Sequence, residues 1–401
     1  MIALYNLGIF IIRCAAYFAS FFNDKAKQLI AGQKNLWVEL PVWVHCASLG
    51  EFEQGRPVID TLHTTYPQHA MLITFFSPSG YVIRKNYKHA DYVFYLPWDT
   101  ATNAQQFVNI VKPVLAIFIK YEFWHHHINA LYKQRVPVLS VSSRFRASQI
   151  FFKRYGGFYR QIIRRITHLF VQDGESVKLL NSIGVTQCTH AGDTRFDSVT
   201  QLLQEPAHFT AIEKFKGDAT TLVAGSCWPE DMRVLARFIN SQPTLKFIIA
   251  PHEISASFMQ DIEVSLPGKC TRLSAYHEGD YQVMIIDNVG MLSRLYRYGN
   301  FAYVGGAFGK GLHNILEPAC YGIPVFFGNR QYKKFQEAND LIARRGAFAV
   351  ADANELTAQF QVLNNKIHYQ QACNASRDYV LAHTGATSVI TKYCAGLLTK
   401  N

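Results

Sequence analysis

The segment 301–328, FAYVGGAFGKGLHNILEPACYGIPVFFG, decides the fold of this 401-residue chain. It begins with four apolar residues that predict a buried strand, and glycines at 305, 306, 309 and 311 then allow a tight turn and close approach to a ligand. Residues 313–318 predict the first turn of a helix, and residues 324–327 predict the next strand. A strand, a glycine loop and a helix N-terminus form an anion site, because unpaired N–H groups and the helix dipole point at the ligand. An ordinary capped strand–turn–helix connection is the alternative, since glycine spacing alone is weak evidence.

Length and composition indicate a globular protein of two domains. A chain of 401 residues exceeds what one core usually serves, and 49% hydrophobic with 17% charged residues excludes a disordered chain. The formal charge of +11 predicts an acidic partner, which is nucleic acid, anionic lipid or a phosphorylated substrate. Eight cysteines contain no C-x-x-C pair, so we expect a reducing compartment, no disulfide framework and no metal site built on them.

Residues 1–22 are almost entirely apolar or aromatic, close to the ~20 residues of a membrane span. Arg13 lies near the middle, which costs roughly 2.5–3.5 kcal/mol at a bilayer centre. A spanning helix and a helix lying in the membrane interface both remain open, and so does a helix packed on its own domain. A signal peptide is disfavoured, because no basic region precedes the apolar run. We predict a membrane-associated helix within residues 1–30, with Lys25, Lys27 and Lys34 on the cytoplasmic side.

Two carboxylates follow predicted strands of the first half. Residues 42–46 predict a strand, Ser48 and Gly50 suit a strand-to-helix turn, and Glu51 then lies in the first helical turn. Residues 114–119 predict another strand, which leads to Glu122. Open α/β sheets bind ligands at the carboxyl ends of their strands. For Glu51, favourable interaction with the helix dipole is the alternative interpretation.

Residues 123–172 contain no acid, and basic residues alternate there with aromatic ones. This pattern favours contact with a phosphate-rich membrane surface over nucleic acid, because no nucleic-acid fold signature accompanies it; a solvated face is the alternative. His125, His126 and His127 suggest zinc, but three consecutive helical side chains cannot converge on one ion. We expect a solvated or partly packed helix end instead.

Three strings in the chain are similar to signatures of known enzymes. Residues 317–325, Glu-Pro-Ala-x-x-Gly-x-Pro-Val, resemble the nucleotide-sugar motif of GT-B glycosyltransferases. The strings Val304-Gly305-Gly306 and His313-Asn314-x-Leu316-Glu317-Pro318 resemble those of 3-deoxy-D-manno-octulosonic acid (Kdo) transferases, and so does Ala47-Ser48-x-Gly50-Glu51-x-x-Gln54. The resemblance covers essentially the whole chain.

The resemblance implies a GT-B fold of two Rossmann-like domains facing across a cleft. It also implies inverting transfer of Kdo from CMP-Kdo to a lipid A precursor, lipid IVA, in lipopolysaccharide synthesis at the cytoplasmic face of the inner membrane. No cofactor, no metal and no nucleic acid is implied. The domains would span residues 31–205 for the acceptor and 206–380 for the donor. Residues 381–401 would form a helix that returns to the first domain.

The resemblance also assigns roles. It makes Glu51 the general base and Glu122 a stabiliser of the transition state, and it places Arg195 where the family has a lysine that would neutralise the leaving phosphate. The chain departs from the family at Lys120, which replaces a glutamate, and at His252, which stands where Pro-Arg-His is usual. The predicted substrate and nucleotide contacts are Ser48, Gly50, Ser226, Pro251, His252, Val289, Gly290, Met291, Gly305, Gly306, Asn314, Ile315, Leu316 and Glu317.

Two alternatives to Kdo transfer remain. One is a GT-B enzyme that acts on another sugar nucleotide, either a different glycosyltransferase or an epimerase. The other is a membrane-bound protein that binds a nucleotide or lipid without catalysis.

Overall fold

The computed structural model describes residues 1–20, 23, 40–204 and 208–399. The chain forms two compact units, one of Met1–Ser198 with His383–Asn401 and one of Val199–Ala382. Each unit contains a seven-stranded sheet whose paired strands are all parallel. The predicted α/β class with two Rossmann-like domains is therefore confirmed. The domain boundaries predicted at 30/31 and 205/206 lie outside the described residues, as do Lys25, Lys27 and Lys34.

The sheet of the first unit has the order β3-β2-β1-β4-β5-β6-β7. Its strands read as short apolar runs because both faces of a parallel sheet are covered by helices. The order reverses between β1 and β4, and ligands bind outside the carboxyl ends of strands at such a point. The strands are β1 (Val42–Cys46), β2 (Met71–Phe75), β3 (Tyr92–Tyr95), β4 (Leu115–Ile119), β5 (Val138–Ser143), β6 (His168–Val171) and β7 (Cys188–His190).

Helices alternate with these strands, as right-handed parallel connections require. A 3₁₀ turn at Ile150–Phe152 lies between β5 and the next helix. The helices are α1 (Ile2–Ala19), α2 (Leu49–Thr65), α3 (Pro78–Arg84), α4 (Ala101–Val111), α5 (His125–Lys133), α6 (Gly157–Arg164), α7 (Gly174–Ser182) and α8 (Thr194–Gln204).

The second unit repeats this architecture with the order β10-β11-β9-β8-β12-β13-β14, and its order reverses between β8 and β12. The strands are β8 (Thr221–Cys227), β9 (Lys246–Pro251), β10 (Cys270–Arg272), β11 (Val283–Ile285), β12 (Phe301–Val304), β13 (Val325–Gly328) and β14 (Ala347–Val350). The helices are α9 (Thr210–Lys216), α10 (Pro229–Ser241), α11 (Ala256–Ser265), α12 (Leu292–Leu295), α13 (Leu316–Cys320), α14 (Gln336–Ala343), α15 (Ala353–Val362) and α16 (Lys366–Ala382), with 3₁₀ turns at Leu273–Ala275 and Tyr296–Tyr298.

A last helix, α17 (Ala386–Leu398), belongs to the first unit although it follows the second in the chain. It packs against α2 and buries Ile390, Cys394 and Leu398 in the apolar cluster beneath the sheet. Asp197 caps its N-terminus, since the carboxylate accepts hydrogen bonds from the Gly385 N–H (2.6 Å) and the Thr387 N–H (2.7 Å).

Helix α1 is long and apolar enough to cross a membrane by length and composition, and Ile9 is its one buried residue. Its contact with α5 is polar. The Tyr5 hydroxyl donates to Asp99 Oδ2 and accepts from the His125 N–H at 3.1 Å, and His126 Nε2 lies 2.7 Å from Asn6 Oδ1. Helix α1 is therefore held in place by its polar contacts with the first residues of α5.

The three consecutive histidines are buried, so the packed alternative is correct and a solvated helix end is wrong. Asp99 accepts hydrogen bonds from the N–H groups of His126 (3.0 Å) and His127 (2.9 Å), and its Oδ1 lies 2.6 Å from His127 Nδ1. One buried carboxylate thus caps α5 and holds a histidine ring. Among the described residues, no group of three or more histidines, cysteines or acids could hold a metal ion.

The basic and aromatic segment, residues 123–172, is only partly exposed at the protein surface. Phe151 is buried in the core of the first unit, with Phe158 and Tyr159 packed against that core, while Tyr155 stands exposed. Arg160 Nη1 donates to the carbonyls of Phe151 (3.0 Å) and Lys153 (2.8 Å). Most of these aromatic rings therefore serve packing, because the 3₁₀ turn and α6 fold them onto the sheet.

Candidate functional site

Glu51 and Glu122 lie at the same edge of the first sheet, where the strand order reverses. Strands β1 and β4 pair in parallel with His45 beside Phe118, so their carboxyl ends are level. Burial raises the pKa of the Cys46 thiol well above its usual value, and the negative charges of Glu51 and Glu122 raise it further. Glu53, two residues further along α2, contributes in the same direction, so the position of Glu51 and Glu122 at this edge rests on the strand pairing.

Glu51 is in the first turn of α2, where its charge interacts favourably with the helix dipole. Ser48 is the N-cap residue, and its hydroxyl donates to Glu51 Oε2 at 2.6 Å. Oε1 makes no hydrogen bond to the part of the chain that the structure describes. Apart from the neighbouring residues and backbone of the same helix, no atom of the described residues lies within 4 Å of the position that a Cβ at Gly50 would take. One oxygen of Glu51 is thus fixed while the turn that carries it faces open space.

Glu122 is held in a different way. Trp124 Nε1 donates to Glu122 Oε2 at 2.7 Å, and His45 Nε2 lies 3.4 Å from the same oxygen. His45 is fully buried, and its Nδ1 lies 2.9 Å from Thr74 Oγ1, which in turn accepts from Trp43 Nε1 at 2.8 Å. Sequence reasoning missed His45 as a site residue because it occurs inside an apolar strand. The one available signal was a histidine at an otherwise hydrophobic position.

Arg195 forms an ion pair with Asp193. Its Nε and Nη2 lie 2.9 Å and 2.8 Å from Asp193 Oδ2. The buried carboxylate also accepts from Gln54 Nε2 at 2.7 Å and Gln172 Nε2 at 3.0 Å. Burial alone would raise the pKa of Asp193, but the charge and hydrogen bonds of Arg195 outweigh it and lower that pKa. The direction of the guanidinium is therefore set by Asp193.

The segment that carries Arg195 is bound to the helix that carries Glu51. Thr194 Oγ1 donates to the Gln54 carbonyl at 2.5 Å, and Gln54 lies one turn beyond Glu51 in α2. Thr194 also lies 2.8 Å from the hydroxyl of Ser142, near the end of β5. These contacts bring the loop after β7 to the same sheet edge as the two carboxylates.

In the second unit, two glycines of the 301–328 segment make room for protein atoms. A side chain at Gly305 would place its Cβ 2.3 Å from the Ser226 carbonyl and 2.7 Å from Asp231 Oδ2. Gly306 has a φ of +93° and donates its N–H to Asp231 Oδ2 at 2.9 Å. These positions need glycine because of packing and backbone conformation. Close approach to a ligand at Gly305 and Gly306 stays a prediction.

Asp231 is a buried acid that sequence reasoning missed. Besides Gly306 it accepts from the Trp228 N–H (2.9 Å) and the Tyr303 hydroxyl (2.9 Å). Burial raises its pKa even though these donors oppose the rise. Asp231 therefore joins the glycine loop to the start of α10. A proline followed two residues later by an acid at a helix start was the available signal.

Asn314 and Glu317 form a polar pair at the helix that follows the loop. Asn314 Oδ1 accepts from the Leu316 N–H at 3.2 Å, and its Nδ2 donates to Glu317 Oε1 at 3.2 Å. The helix begins at Leu316, with Ile315 as N-cap, and runs five residues. It starts later than residue 313, and the Asn314 side chain accepts from the N–H of its first residue. So short a helix has only a small dipole.

Three aromatic rings stack at the carboxyl ends of β8 and β9. The His252 ring lies 4.3 Å from Trp228 and 4.6 Å from His313, measured between centroids, and Trp228 Nε1 donates to His313 Nε2 at 3.1 Å. Burial and the neighbouring His252 lower the pKa of His313 to about 4, and burial lowers that of His252 as well. The stack is therefore neutral at pH 7, with Lys310 Nζ 5.6 Å from the Trp228 ring centre. Sequence reasoning missed Trp228.

The remaining predicted contacts lie at the carboxyl edge of the second sheet. Pro251 ends β9, and Ser226 near the end of β8 has a φ of +53°. Beyond β11, Val289 is exposed and Gly290 has a φ of +94°, but the helix after Met291 has only four residues. The edge thus presents backbone in several non-regular conformations around the aromatic stack.

Comparisons of sequence find similarity to 3-deoxy-D-manno-octulosonic acid transferases. Residues 17–198 match the family model described as 3-deoxy-D-manno-octulosonic-acid transferase (kdotransferase). A 3-deoxy-D-manno-octulosonic acid transferase of Aquifex aeolicus is 27% identical over 333 residues, which cover 80% of this chain and 85% of that protein. The transferase of Haemophilus influenzae is 24% identical over 364 residues, covering 86% and 84%.

Solved structures share the fold at lower identity. UDP-GlcNAc 2-epimerase from Neisseria meningitidis, bound to UDP-GlcNAc, superposes with a TM-score of 0.64 at 16% identity, covering 90% of this chain and all of that one. The UDP-GlcNAc 2-epimerase of Methanocaldococcus jannaschii gives 0.58 at 12% identity, covering 89% and 100%. These similarities concern the fold alone.

Proposed function

We propose that the chain is a Kdo transferase, because residues 17–198 match that family's model and relatives with this activity in their names are 24–27% identical, and that it transfers Kdo from CMP-Kdo to the lipid A precursor lipid IVA. It is a glycosyltransferase of lipopolysaccharide synthesis. One observation carries the assignment of its catalytic edge. Glu51 and Glu122 follow β1 and β4, which pair in parallel at the reversal point of the first sheet, so both carboxylates stand at one sheet edge.

We assign Glu51 the role of general base. Ser48 fixes its Oε2, which leaves Oε1 to accept the proton of an acceptor hydroxyl. The deprotonated oxygen then forms a bond to the anomeric carbon of Kdo, while the bond from that carbon to the CMP phosphate breaks and CMP leaves. Attack from the opposite face inverts the anomeric centre. A positioned base contributes ~10²–10⁴-fold to such a step.

Glu122 and Arg195 serve the charges that develop in this step. The Glu122 carboxylate stabilises positive charge at the anomeric carbon. Trp124 fixes its Oε2, and its Oε1 then faces the sugar. Arg195 neutralises the leaving phosphate. Its pairing with Asp193 offsets part of its charge but fixes its direction, which favours a geometric role that a flexible lysine would not fill.

The second unit binds the donor in this proposal. The neutral stack of Trp228, His252 and His313 offers flat rings on which the cytosine base can stack. Lys310 lies beside it as a cation for the phosphate. The Asn314–Glu317 pair presents an amide and a carboxylate to sugar hydroxyls. This arrangement fits a monophosphate nucleotide sugar without requiring the arginine that His252 replaces.

Membrane association follows from α1. Exposed apolar side chains on this helix include Leu4, Leu7, Phe10 and Phe18, and the charge of +11 favours an anionic lipid surface. Because Tyr5 and Asn6 bind the start of α5, we propose that the helix lies along the first unit with its apolar face in the membrane. The protein would then work at the cytoplasmic face of the inner membrane, where its lipid acceptor is found.

Mass spectrometry of lipid IVA incubated with CMP-Kdo and the purified protein tests the function. We expect a product heavier by one or more Kdo units, and none when UDP-GlcNAc replaces CMP-Kdo. Glu51→Gln should fold, bind CMP and lose at least about 100-fold of the transfer rate. Glu53→Gln is the matched control, since Glu53 lies on the same helix and pairs with Arg56 and Arg84.

Two results would contradict the proposal at different levels. Transfer at the normal rate by Glu51→Gln would remove Glu51 from the role of base and leave the activity intact. Absence of transfer from CMP-Kdo by the unaltered protein would overturn the function itself.

A further inference from the structure

His45 is a fully buried histidine with one ring nitrogen committed to the protein and the other directed at the catalytic edge. Nδ1 lies 2.9 Å from Thr74 Oγ1 and 3.1 Å from the Thr74 carbonyl. Nε2 makes no aligned hydrogen bond and lies 3.4 Å from Glu122 Oε2. A buried polar atom without a full partner is uncommon and calls for an explanation.

The neighbours of His45 determine which way its ring can turn. Trp43 Nε1 donates to Thr74 Oγ1 at 2.8 Å, so the threonine hydroxyl can give its own hydrogen to the imidazole. The ring of Phe118 packs edge-on against the imidazole with 5.7 Å between centroids. These contacts hold the ring with Nε2 toward Glu122, whichever tautomer it adopts.

One proton lies between His45 Nε2 and Glu122 Oε2 in each arrangement of hydrogens that gives both atoms a hydrogen-bond partner. With the threonine hydroxyl donating to Nδ1, the proton is on Nε2 and faces an ionised Glu122. With Nδ1 donating to Thr74, the proton between the two groups belongs either to a charged imidazole or to the carboxyl. A bare nitrogen facing a carboxylate oxygen would set two lone pairs against each other and leave the buried Nε2 without a hydrogen-bond partner.

We propose that His45 is a positioning residue for Glu122. Together with Trp124 it fixes Oε2 from two sides, so that Oε1 is the oxygen presented to the sugar. This inference rests on the proposed function, because it specifies how one of the assigned carboxylates is aimed. Binding of substrate should shorten the Nε2–Oε2 contact, since a catalytic hydrogen bond is often long until the complex forms.

Two substitutions separate this role from simple packing. His45→Gln retains an amide NH₂ near the position of Nε2, so it can still donate to Glu122 without changing charge. His45→Asn places its polar atoms near the position of Nδ1, so it retains the contact with Thr74 and loses the one with Glu122. Thermal unfolding of both variants shows whether each is folded before rates are compared.

The transfer rates of these variants give the first test. We expect His45→Asn to lower kcat by about tenfold or more with little change in KM, since a hydrogen bond to a charged group has roughly that effect. His45→Gln should stay within about threefold of the unaltered protein. In a Glu122→Gln background, His45→Asn should cause no further loss, because the two residues act as one unit.

Three rate outcomes decide against the inference. A normal kcat for folded His45→Asn would overturn it. So would an equal loss in His45→Gln, because that pattern indicates a packing role. A full additional loss from His45→Asn in the Glu122→Gln background would show that the histidine acts independently of Glu122.

A spectroscopic test does not depend on activity. Long-range ¹H–¹⁵N spectra of protein labelled in histidine would report the ring nitrogens of His45, assigned by their loss in His45→Gln. Glu122→Gln should shift the Nε2 resonance, and an unchanged resonance would overturn the inference. If the unaltered protein transfers no Kdo, the proposed function fails, and the spectra still decide whether His45 and Glu122 are coupled.

Discussion

Arg195 illustrates at the scale of one residue how a partner changes what a charge can do. The sequence places a cation after β7, and the structure shows its guanidinium bound to a carboxylate that also accepts from two glutamines. The pair therefore has a structural role besides any role in catalysis. The two roles can be separated because Asp193 is buried, while Arg195 retains 29% of its side-chain exposure.

We expect Arg195→Ala to reduce both stability and transfer. It leaves the buried Asp193 charge unpaired, which typically costs about 3–5 kcal/mol. Adding Asp193→Asn removes that charge, so the double variant should regain most of the free energy of unfolding and still transfer poorly. Urea unfolding and transfer rates measure the two effects. Recovery of transfer in the double variant would show that Arg195 is only a structural partner.

Asp99 predicts a pH dependence of stability. Burial alone would raise its pKa, but hydrogen bonds from His127, Tyr5 and the α5 backbone lower it to about 2. A carboxyl with a lowered folded pKa stabilises the protein above its unfolded pKa of ~3.9, and that contribution disappears as the pH falls toward 2. For this shift the contribution is roughly 2–3 kcal/mol.

Asp99→Asn should therefore be less stable than the unaltered protein at pH 7, with the difference narrowing between pH 4 and about 2. Urea unfolding across this pH range measures it. The control is Glu175→Gln, which changes an exposed acid paired with Lys178 at the protein surface. A stability difference for Asp99→Asn that stays constant down to pH 2 would contradict the assignment.

At the scale of elements, the apolar helix α1 is held by its polar residues. Tyr5 and Asn6 bind the start of α5, and side chains such as Leu4, Leu7 and Phe18 remain exposed. An anchored helix with an outward apolar face suits the membrane interface better than a free span. In the membrane association proposed above, the histidine run would act through packing, because it holds α1.

Replacing Leu4, Leu7 and Phe18 together by Gln should weaken binding to anionic vesicles by about tenfold or more, since each buried apolar side chain contributes on the order of 1 kcal/mol or above. Sedimentation with phosphatidylglycerol-containing vesicles measures this binding. A matched control changes Val264, Val362 and Ile367 to Gln, which are equally exposed on helices of the second unit. Equal binding by both triple variants would exclude α1 as the membrane contact.

The elements also show what a sequence can predict. Residues 42–46 and 301–304 form strands with the predicted bounds because continuous apolar runs between turns identify buried parallel strands. Strands β7, β10 and β14 were missed; they have three or four residues and are partly exposed. Strands this short contain too few residues to show a recognisable hydrophobic pattern.

Site residues that belong to a sequence motif could be predicted, whereas those identified only by their contacts in the folded chain could not. Glu51 and Glu122 follow strong strand patterns, so their place at a sheet edge was predicted. His45, Asp231 and Trp228 are recognised only through partners distant in the sequence, such as Glu122, Gly306 and His313. A single sequence does not reveal these pairings, because neither their spacing nor their composition is distinctive.

At the scale of the whole molecule, the two units differ in continuity. The second is one uninterrupted segment, Val199–Ala382, whereas the first needs residues from both sides of it. Helix α17 contributes Ile390, Cys394 and Leu398 to the core that β1 and β4 share. The first unit without this helix would expose a large apolar surface.

Segment 199–382 produced alone should therefore unfold cooperatively, while segment 1–198 should not. Circular dichroism during urea titration distinguishes the two. Addition of residues 383–401 to segment 1–198 through a flexible linker should restore a sharp transition, because it replaces the buried side chains of α17. Cooperative unfolding of segment 1–198 without α17 would contradict this prediction.

The return of α17 also sets an order of events during translation. A ribosome synthesises residues 199–382 before the helix that completes the first unit. The core of the first unit, which carries Glu51 and the apolar α1, is therefore incomplete until α17 has been made. The second unit needs no later residues, so it can already fold during that time. Chaperone protection or early attachment to lipid would be most valuable in that interval. A stop codon shortly before residue 386 would yield a protein in which the second unit, although made last, is complete, while the first unit lacks α17.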